Sequence, residues 1–214
     1  MVVLPRDAEP LPLTILRPSQ TFGRQGEPAP GVAYVEAGVL RVSTLAVDGH
    51  ELLVDVVGPA QTVGELGGLA TCTVRAMSPV RLRSLTGIAA ARALDERARR
   101  AVALAADLAW LDVTTRIERR LRDLASRVGR PAPGGVLIPL RLTQDDLAAM
   151  VGTTRETANR AIRALVARQA IDVVRRGRYI VRTPLQLVGP GLQRSASVGP
   201  SPRGPSRRSN MTMS

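Results

Sequence analysis

The chain has 214 residues, 44% of them hydrophobic, which is enough for one or two cored domains. Cys72 is the single cysteine and His50 the single histidine, which excludes a disulfide framework, a multi-cysteine zinc or iron–sulfur site and a histidine metal triad within one chain. The net charge is +12, carried wholly by arginine and unevenly spread: residues 1–91 hold 7 arginines against 8 acids, residues 131–185 hold 9 against 4. Such an asymmetry is expected where the C-terminal part meets a polyanion.

The N-terminus, MVVLPRDAEPLPL, has prolines and acids where a signal peptide needs a basic start and an apolar run. No run of about 18 apolar residues appears, so no membrane span is expected. These features point to a cytoplasmic protein with no membrane partner and no metal.

Residues 13–85 read as short strands. LTILRPSQTF, GVAYVEAGVLRVSTLAV, HELLVDVVG and TVRAMSPVRLRSL mix β-branched and apolar residues, punctuated by Gly38, Asp48-Gly49 and Gly58-Pro59. Asp-Gly between apolar runs is a strong hairpin signal. Strands at this spacing predict a small antiparallel barrel or roll over residues 1–91.

From about Gly87 the pattern turns helical. Leu94, Ala101, Leu104, Leu108 and Leu111 repeat with an a/d spacing. Residues 92–112 are thus expected to be a dimerisation helix and hinge, with Leu104 and Leu108 at the contact. Packing of the same seam on the chain's own barrel is the other reading. A second amphipathic helix, VTTRIERRLRDLASRV, follows and ends at Gly129, and residues 129–135 read as a loop.

Residues 136–185 hold a compact pattern. Thr143 precedes Gln144-Asp145-Asp146, a helix start with acids in its first turn. Gly152 breaks that helix where a positive φ suits a tight turn. Thr153 and Thr154 can cap the next helix, and Glu156, three after Thr153, would complete a capping box. A helix, a short Gly-containing turn and a second helix make a helix-turn-helix.

On the second helix, Arg155, Asn159, Arg163, Glu156 and Arg160 fall within a sector of about 140° at 100° per residue. Ala158, Ala161, Ile162 and Leu165 fall on the other side. The polar side can face the major groove: arginine donates two bonds to guanine, and glutamate accepts from cytosine. Ordinary surface ion pairing of Glu156 with Arg160 is the bland alternative.

GTTRETANRAIRAL resembles the recognition-helix motif of the cyclic-AMP receptor protein/fumarate–nitrate regulator (CRP/FNR) family of bacterial transcription factors. LTQDDLAAMVGTTRETANRAIRALVARQAIDVVRRGRYIV looks like that family's winged helix-turn-helix, with IDVVRRGRYIV as a two-stranded wing. LAWLDVTTRIERRLRDLA looks like its hinge region. GEPAPGVAYVEAGVLRV, DGHELLVDVVG and VGELGG resemble its β-roll. The resemblance covers roughly residues 13–185 and is most specific from Arg155 to Arg160.

The resemblance implies an α+β fold: an N-terminal antiparallel β-roll like a cyclic-nucleotide-binding domain, a dimerisation helix, and a C-terminal winged helix-turn-helix over residues 113–185. It implies a sequence-specific regulator, not an enzyme, that binds double-stranded DNA as a homodimer on a pseudo-palindrome with half-sites like TGTGA. RNA polymerase is the further partner it suggests. By resemblance Arg155, Glu156 and Arg160 match base-reading positions, and Thr143, Thr154 and Thr157 match phosphate-facing ones.

The effector pocket would centre on Gly64, Glu65 and Leu66. In cyclic-AMP-binding members an Arg-Ser pair follows VGELG and holds the cyclic phosphate. Here only LATC separates Gly68 from TVRAM, and that pair is missing. Ala101 and Val102 fall where adenine-contacting hydroxyls stand. No cofactor is expected, and cyclic AMP is not expected to switch the protein.

Residues 186–214, rich in Pro, Gly, Ser and Arg, are expected to be a disordered basic tail. Two other functions fit parts of the sequence. Charge alone fits a nonspecific nucleic-acid-binding protein. The barrel fits a cupin-like enzyme, for which His50 is the only histidine.

Overall fold

The computed structural model describes residues 12–175 and 177–182. The reading of residues 186–214 as a basic tail lies outside the described residues.

The roll is built from β1 (Leu13–Leu16), β2 (Thr21–Gly23), β3 (Gly31–Ala37), β4 (Leu40–Leu45), β5 (Glu51–Val57), β6 (Thr62–Glu65), β7 (Thr73–Ala76) and β8 (Val80–Leu85). One antiparallel sheet runs β1-β8-β3-β6 and the other β2-β7-β4-β5. Side chains alternate across each strand, so Leu40 and Val42 are buried while Arg41 between them is not. Val35, Val63, Val74 and Leu82 complete this interior. Each such burial is worth about 1.5–3 kcal/mol.

Asp48-Gly49 turns β4 into β5, with Leu45 paired to Glu51. The Asp48 carboxylate accepts from the His50 backbone N–H at 3.1 Å, and the His50 ring is exposed. VGELG is more than a turn: its first residues are strand β6, paired with β3 so that Val32 faces Gly64. Gly64 has φ +100°, and a Cβ there would lie 2.0 Å from the Gly31 carbonyl oxygen. Close backbone approach therefore requires this glycine whether or not a ligand binds.

Helix α1 (Gly87–Trp110) seats Ala90 and Ala93 against Val32 and Leu85 of the roll. The Leu94–Leu111 seam turns toward the chain itself. Leu104 is 6% exposed, and Leu108 Cδ2 would lie 3.5 Å from a Cβ on Gly152. Leu104 and Leu108, the residues expected at the dimer contact, are thus buried and half-buried within one chain. A 7-3-4-3 spacing serves a helix that packs on its own chain as well as one that pairs with a partner. The exposed large apolar residues of α1 are instead Ile88, Val102 and Trp110.

Asp112 follows that helix and caps α2 (Val113–Val128), accepting from the N–H groups of Thr114 and Thr115 at 2.9 and 3.1 Å. Ile117, Leu121 and Leu124 of α2 are buried against the C-terminal elements. The expected loop at 129–135 is corrected to a hairpin. β9 (Arg130–Ala132) pairs with β10 (Gly135–Ile138) across a turn at Pro133-Gly134. Pro131, which lacks an N–H, is accommodated because β9 is an edge strand.

Next come α3 (Gln144–Val151), α4 (Arg155–Ala167), β11 (Ile171–Val174) and β12 (Arg178–Arg182). The wing is larger than two strands: its sheet runs β11-β12-β10-β9. Leu53 and Val56 of β5 join the core formed by α2, α3, α4 and this sheet.

Candidate nucleic-acid interface

Thr143 opens α3. Its hydroxyl accepts from the Asp146 N–H at 3.0 Å, and the Asp146 carboxylate accepts from the Thr143 N–H at 2.9 Å. This is a complete capping box, with aspartate in the usual glutamate place. Arg41 of β4 sits 3.4 Å from the other Asp146 oxygen. At the far end, Gly152 takes φ +60° and its N–H donates to Ala148, as does that of Thr153 at 3.1 Å. This left-handed residue closes the carbonyl end of α3 and releases the chain into α4. Arg116 of α2 also donates to the Val151 carbonyl at 2.7 Å.

Thr154, rather than Thr153, is the N-cap of α4 and accepts from the Thr157 N–H at 3.3 Å. The expected box with Glu156 does not form, because Glu156 is the second residue of the helix and Thr157 the third. Ala158, Ala161, Ile162 and Leu165 are buried. Arg155, Glu156, Arg160 and Arg163 are exposed on the opposite side. Among the described residues no ion pair links Glu156 to Arg160; Arg160 Nη2 donates instead to the Thr157 hydroxyl at 3.2 Å. That leaves the Glu156 carboxylate available to a partner.

Sequence reasoning missed Gln144. Its side-chain oxygen accepts from Arg155 Nε at 3.2 Å, and its amide donates to Asn159 at 3.3 Å. It thus joins the start of α3 to the start of α4 and holds Arg155 beside Thr143. Gln144 follows a capping threonine, but nothing local announces which helix it will reach. Thr143, Thr154, Arg155, Glu156, Thr157 and Arg160 are brought to one end of the helix pair. Gly64, Glu65 and Leu66 lie apart, in the roll.

There the Glu65 carboxylate accepts from the Thr71 N–H at 2.9 Å and from its hydroxyl at 3.0 Å. Leu66 is exposed.

Residues 13–97 match the cyclic nucleotide-binding domain and residues 115–188 the Crp-like helix-turn-helix domain. The CRP-like cAMP-activated global transcriptional regulator of Mycobacterium tuberculosis is 31% identical over 160 residues, covering 66% of this chain and 71% of that one. The chain belongs to the CRP/FNR family of transcription regulators. The CRP-like protein Clp of Xanthomonas euvesicatoria is 30% identical over 173 residues, covering 67% of this chain and 73% of that protein. A CRP/FNR-family transcriptional regulator from Thermus thermophilus shares the fold, with TM-score 0.69 and 23% identity over 80% of this chain and 94% of that one. So does the c-di-GMP-responsive global regulator CLP of Xanthomonas campestris, at TM-score 0.68 and 24% identity over 82% and 95%. As a CRP/FNR-type regulator, this chain has the roll and the DNA-binding helix-turn-helix of the family. No described helix is long and apolar enough to cross a membrane.

Proposed function

We propose that the protein acts in the cytoplasm as a homodimer. In this reading it binds a pseudo-palindromic operator, reads bases with Arg155, Glu156 and Arg160, and faces phosphates with Thr143, Thr154 and Thr157. The observation that carries this reading is the exposed Arg155–Glu156–Arg160 face, held outward by buried Ala158, Ala161, Ile162 and Leu165 and braced by Gln144. The net charge of the C-terminal part supports a polyanionic partner, and the ordered polar face favours sequence reading over nonspecific attraction. RNA polymerase is the partner through which such a protein would change transcription.

The dimer contact assigned here is the exposed stripe of α1 rather than its leucine seam. Val102 is 71% and Trp110 85% exposed, and Ile88, Ala98 and Ala105 share the Val102 side at helical spacing. Two-fold pairing along this stripe would set the recognition helices about 34 Å apart, the spacing of successive major-groove faces.

Cyclic AMP is not the effector in this reading. The Glu65–Thr71 bonds, the missing Arg-Ser pair and the apolar Ala101 and Val102 remove the groups that would hold a cyclic phosphate and its base. A gel shift with excess competitor DNA tests the proposal. A palindrome should be held at least tenfold more tightly than a single half-site or random DNA; equal retention of all three would defeat it.

A further inference from the structure

One glutamine amide ties the start of α3 to the exposed face of α4. Gln144 is the first residue of α3 and Arg155 the first of α4. Gln144 Oε1 accepts from Arg155 Nε at 3.2 Å, and Gln144 Nε2 donates to Asn159 Oδ1 at 3.3 Å. Arg155 and Asn159 are four residues apart on a helix, so they lie one above the other and a single amide reaches both. The pairing has one sense only. Turned over, the amide would set its NH2 group against the guanidinium N–H, donor against donor.

This bond uses Nε and leaves the rest of the guanidinium. Among the described residues neither Nη of Arg155 has a hydrogen-bond partner. Those two groups form the fork that can donate to guanine O6 and N7. Asp145 lies 4.0 Å from the same Nε, with the two side chains 72% and 61% exposed. An exposed pair at that distance holds a long side chain only weakly. Arginine carries large rotamer entropy, and what is not lost beforehand must be lost on binding. Gln144 supplies that ordering, and being neutral it does so without cancelling the charge that DNA attracts. It is itself half-buried and sits in the complete Thr143–Asp146 capping box, a fixed support for a free tip.

We propose, on the operator reading above, that Gln144 is a positioning residue for base reading: it aims the Nη groups of Arg155 and so sets how strictly one base pair of each half-site is read. Gln144 acts through Arg155 and needs no contact with that base pair. The effect is local. Arg160 bonds to Thr157 within its own helix, so the base pair it reads does not depend on Gln144.

Competition binding of the full chain to an operator recovered by selection from random DNA tests this, beside duplexes with one base pair changed in both half-sites. Preference is the ratio of affinities for operator and changed duplex in one preparation, so any inactive protein cancels. Arg155→Ala and Arg160→Ala locate their base pairs as those whose preference falls. Gln144→Met keeps the length and removes the acceptor. It should lower preference at the Arg155 pair about fivefold and at the Arg160 pair by less than about twofold. In the Arg155→Ala background it should lower preference no further. Gln144→Glu keeps an acceptor for Nε and should keep the preference, with weaker binding to every duplex because it adds a negative charge. Unchanged preference in Gln144→Met, equal loss at both pairs, or further loss in the double variant would overturn the proposal and leave Gln144 a brace between helices. Relaxation by Arg155→Ala without relaxation by Gln144→Met sinks this proposal alone. Recovery of no operator, or an Arg155→Ala variant that relaxes no base pair, sinks base reading by Arg155 and this proposal with it.

Discussion

Arg127 of α2 grips Asp55 of β5 across the join between roll and DNA-binding part, with Nη2 2.8 Å from Oδ1. The same guanidinium donates to the Val56 carbonyl at 2.9 Å and pairs with Asp123 at 2.6 Å. Both partners are mostly buried, so removing one strands the other away from water. Arg127→Met should destabilise the chain by about 3 kcal/mol, the lower end for a broken buried pair because Asp55 keeps Arg100. Urea unfolding of Arg127→Met, Asp55→Asn and the double variant checks this. The double variant should cost clearly less than the two singles added together; strict additivity would show that the pair does not interact.

Gly152 carries the turn between α3 and α4 at φ +60°. A Cβ there would meet Leu108 at 3.5 Å, an ordinary contact, so the strain of substitution lies in the backbone alone. Gly152→Ala should cost about 1–2 kcal/mol, and Gly152→Asn less, because asparagine tolerates the left-handed region. Thermal unfolding of the two variants side by side gives the order directly.

The Glu65–Thr71 bonds make the effector site testable with known ligands. Titration with cyclic AMP and cyclic GMP should show no micromolar binding, and neither should change operator affinity. A tenfold gain in operator affinity with either, about 1.4 kcal/mol of coupling, would show this account of the loop to be wrong.

Much of this architecture could be read from local signals. Asp48-Gly49 announced its hairpin, Thr143 its cap and Gly152 its left-handed turn, because each is fixed by neighbours within a few residues. The exposed polar side of α4 followed from helical spacing. What escaped depends on distant partners. The sequence around Arg127 does not indicate that it meets Asp55 on a strand of the roll. Gln144 reads as one more polar residue in a first turn until α4 is folded against it. The leucine seam of α1 was ambiguous for the same reason: periodicity gives a helix its apolar face but does not name the surface that covers it. Thr153 and Thr154 were equally good caps on paper, and a shift of one residue decided whether Glu156 served the helix or remained free.

That ambiguity yields a discriminating pair of substitutions. Val102→Glu should convert the dimer to a monomer with little change in unfolding. Leu104→Ala should cost about 2–5 kcal/mol of stability and leave the oligomeric state alone. Sedimentation equilibrium at micromolar concentration, paired with urea unfolding, reads both. A dimer that survives Val102→Glu but dissociates on Leu104→Ala would return the contact to the leucine seam.

The most direct measurement is the sequencing of DNA selected from a random pool by the wild-type protein and by Arg160→Ala. The wild type should enrich a pseudo-palindrome with two half-sites centred about one helical turn apart. Arg160→Ala should lose about 1–3 kcal/mol at that site and relax preference at one base pair in each half. A selection that enriches no sequence, or an Arg160→Ala variant that loses affinity equally for selected and random DNA, would contradict base reading by α4.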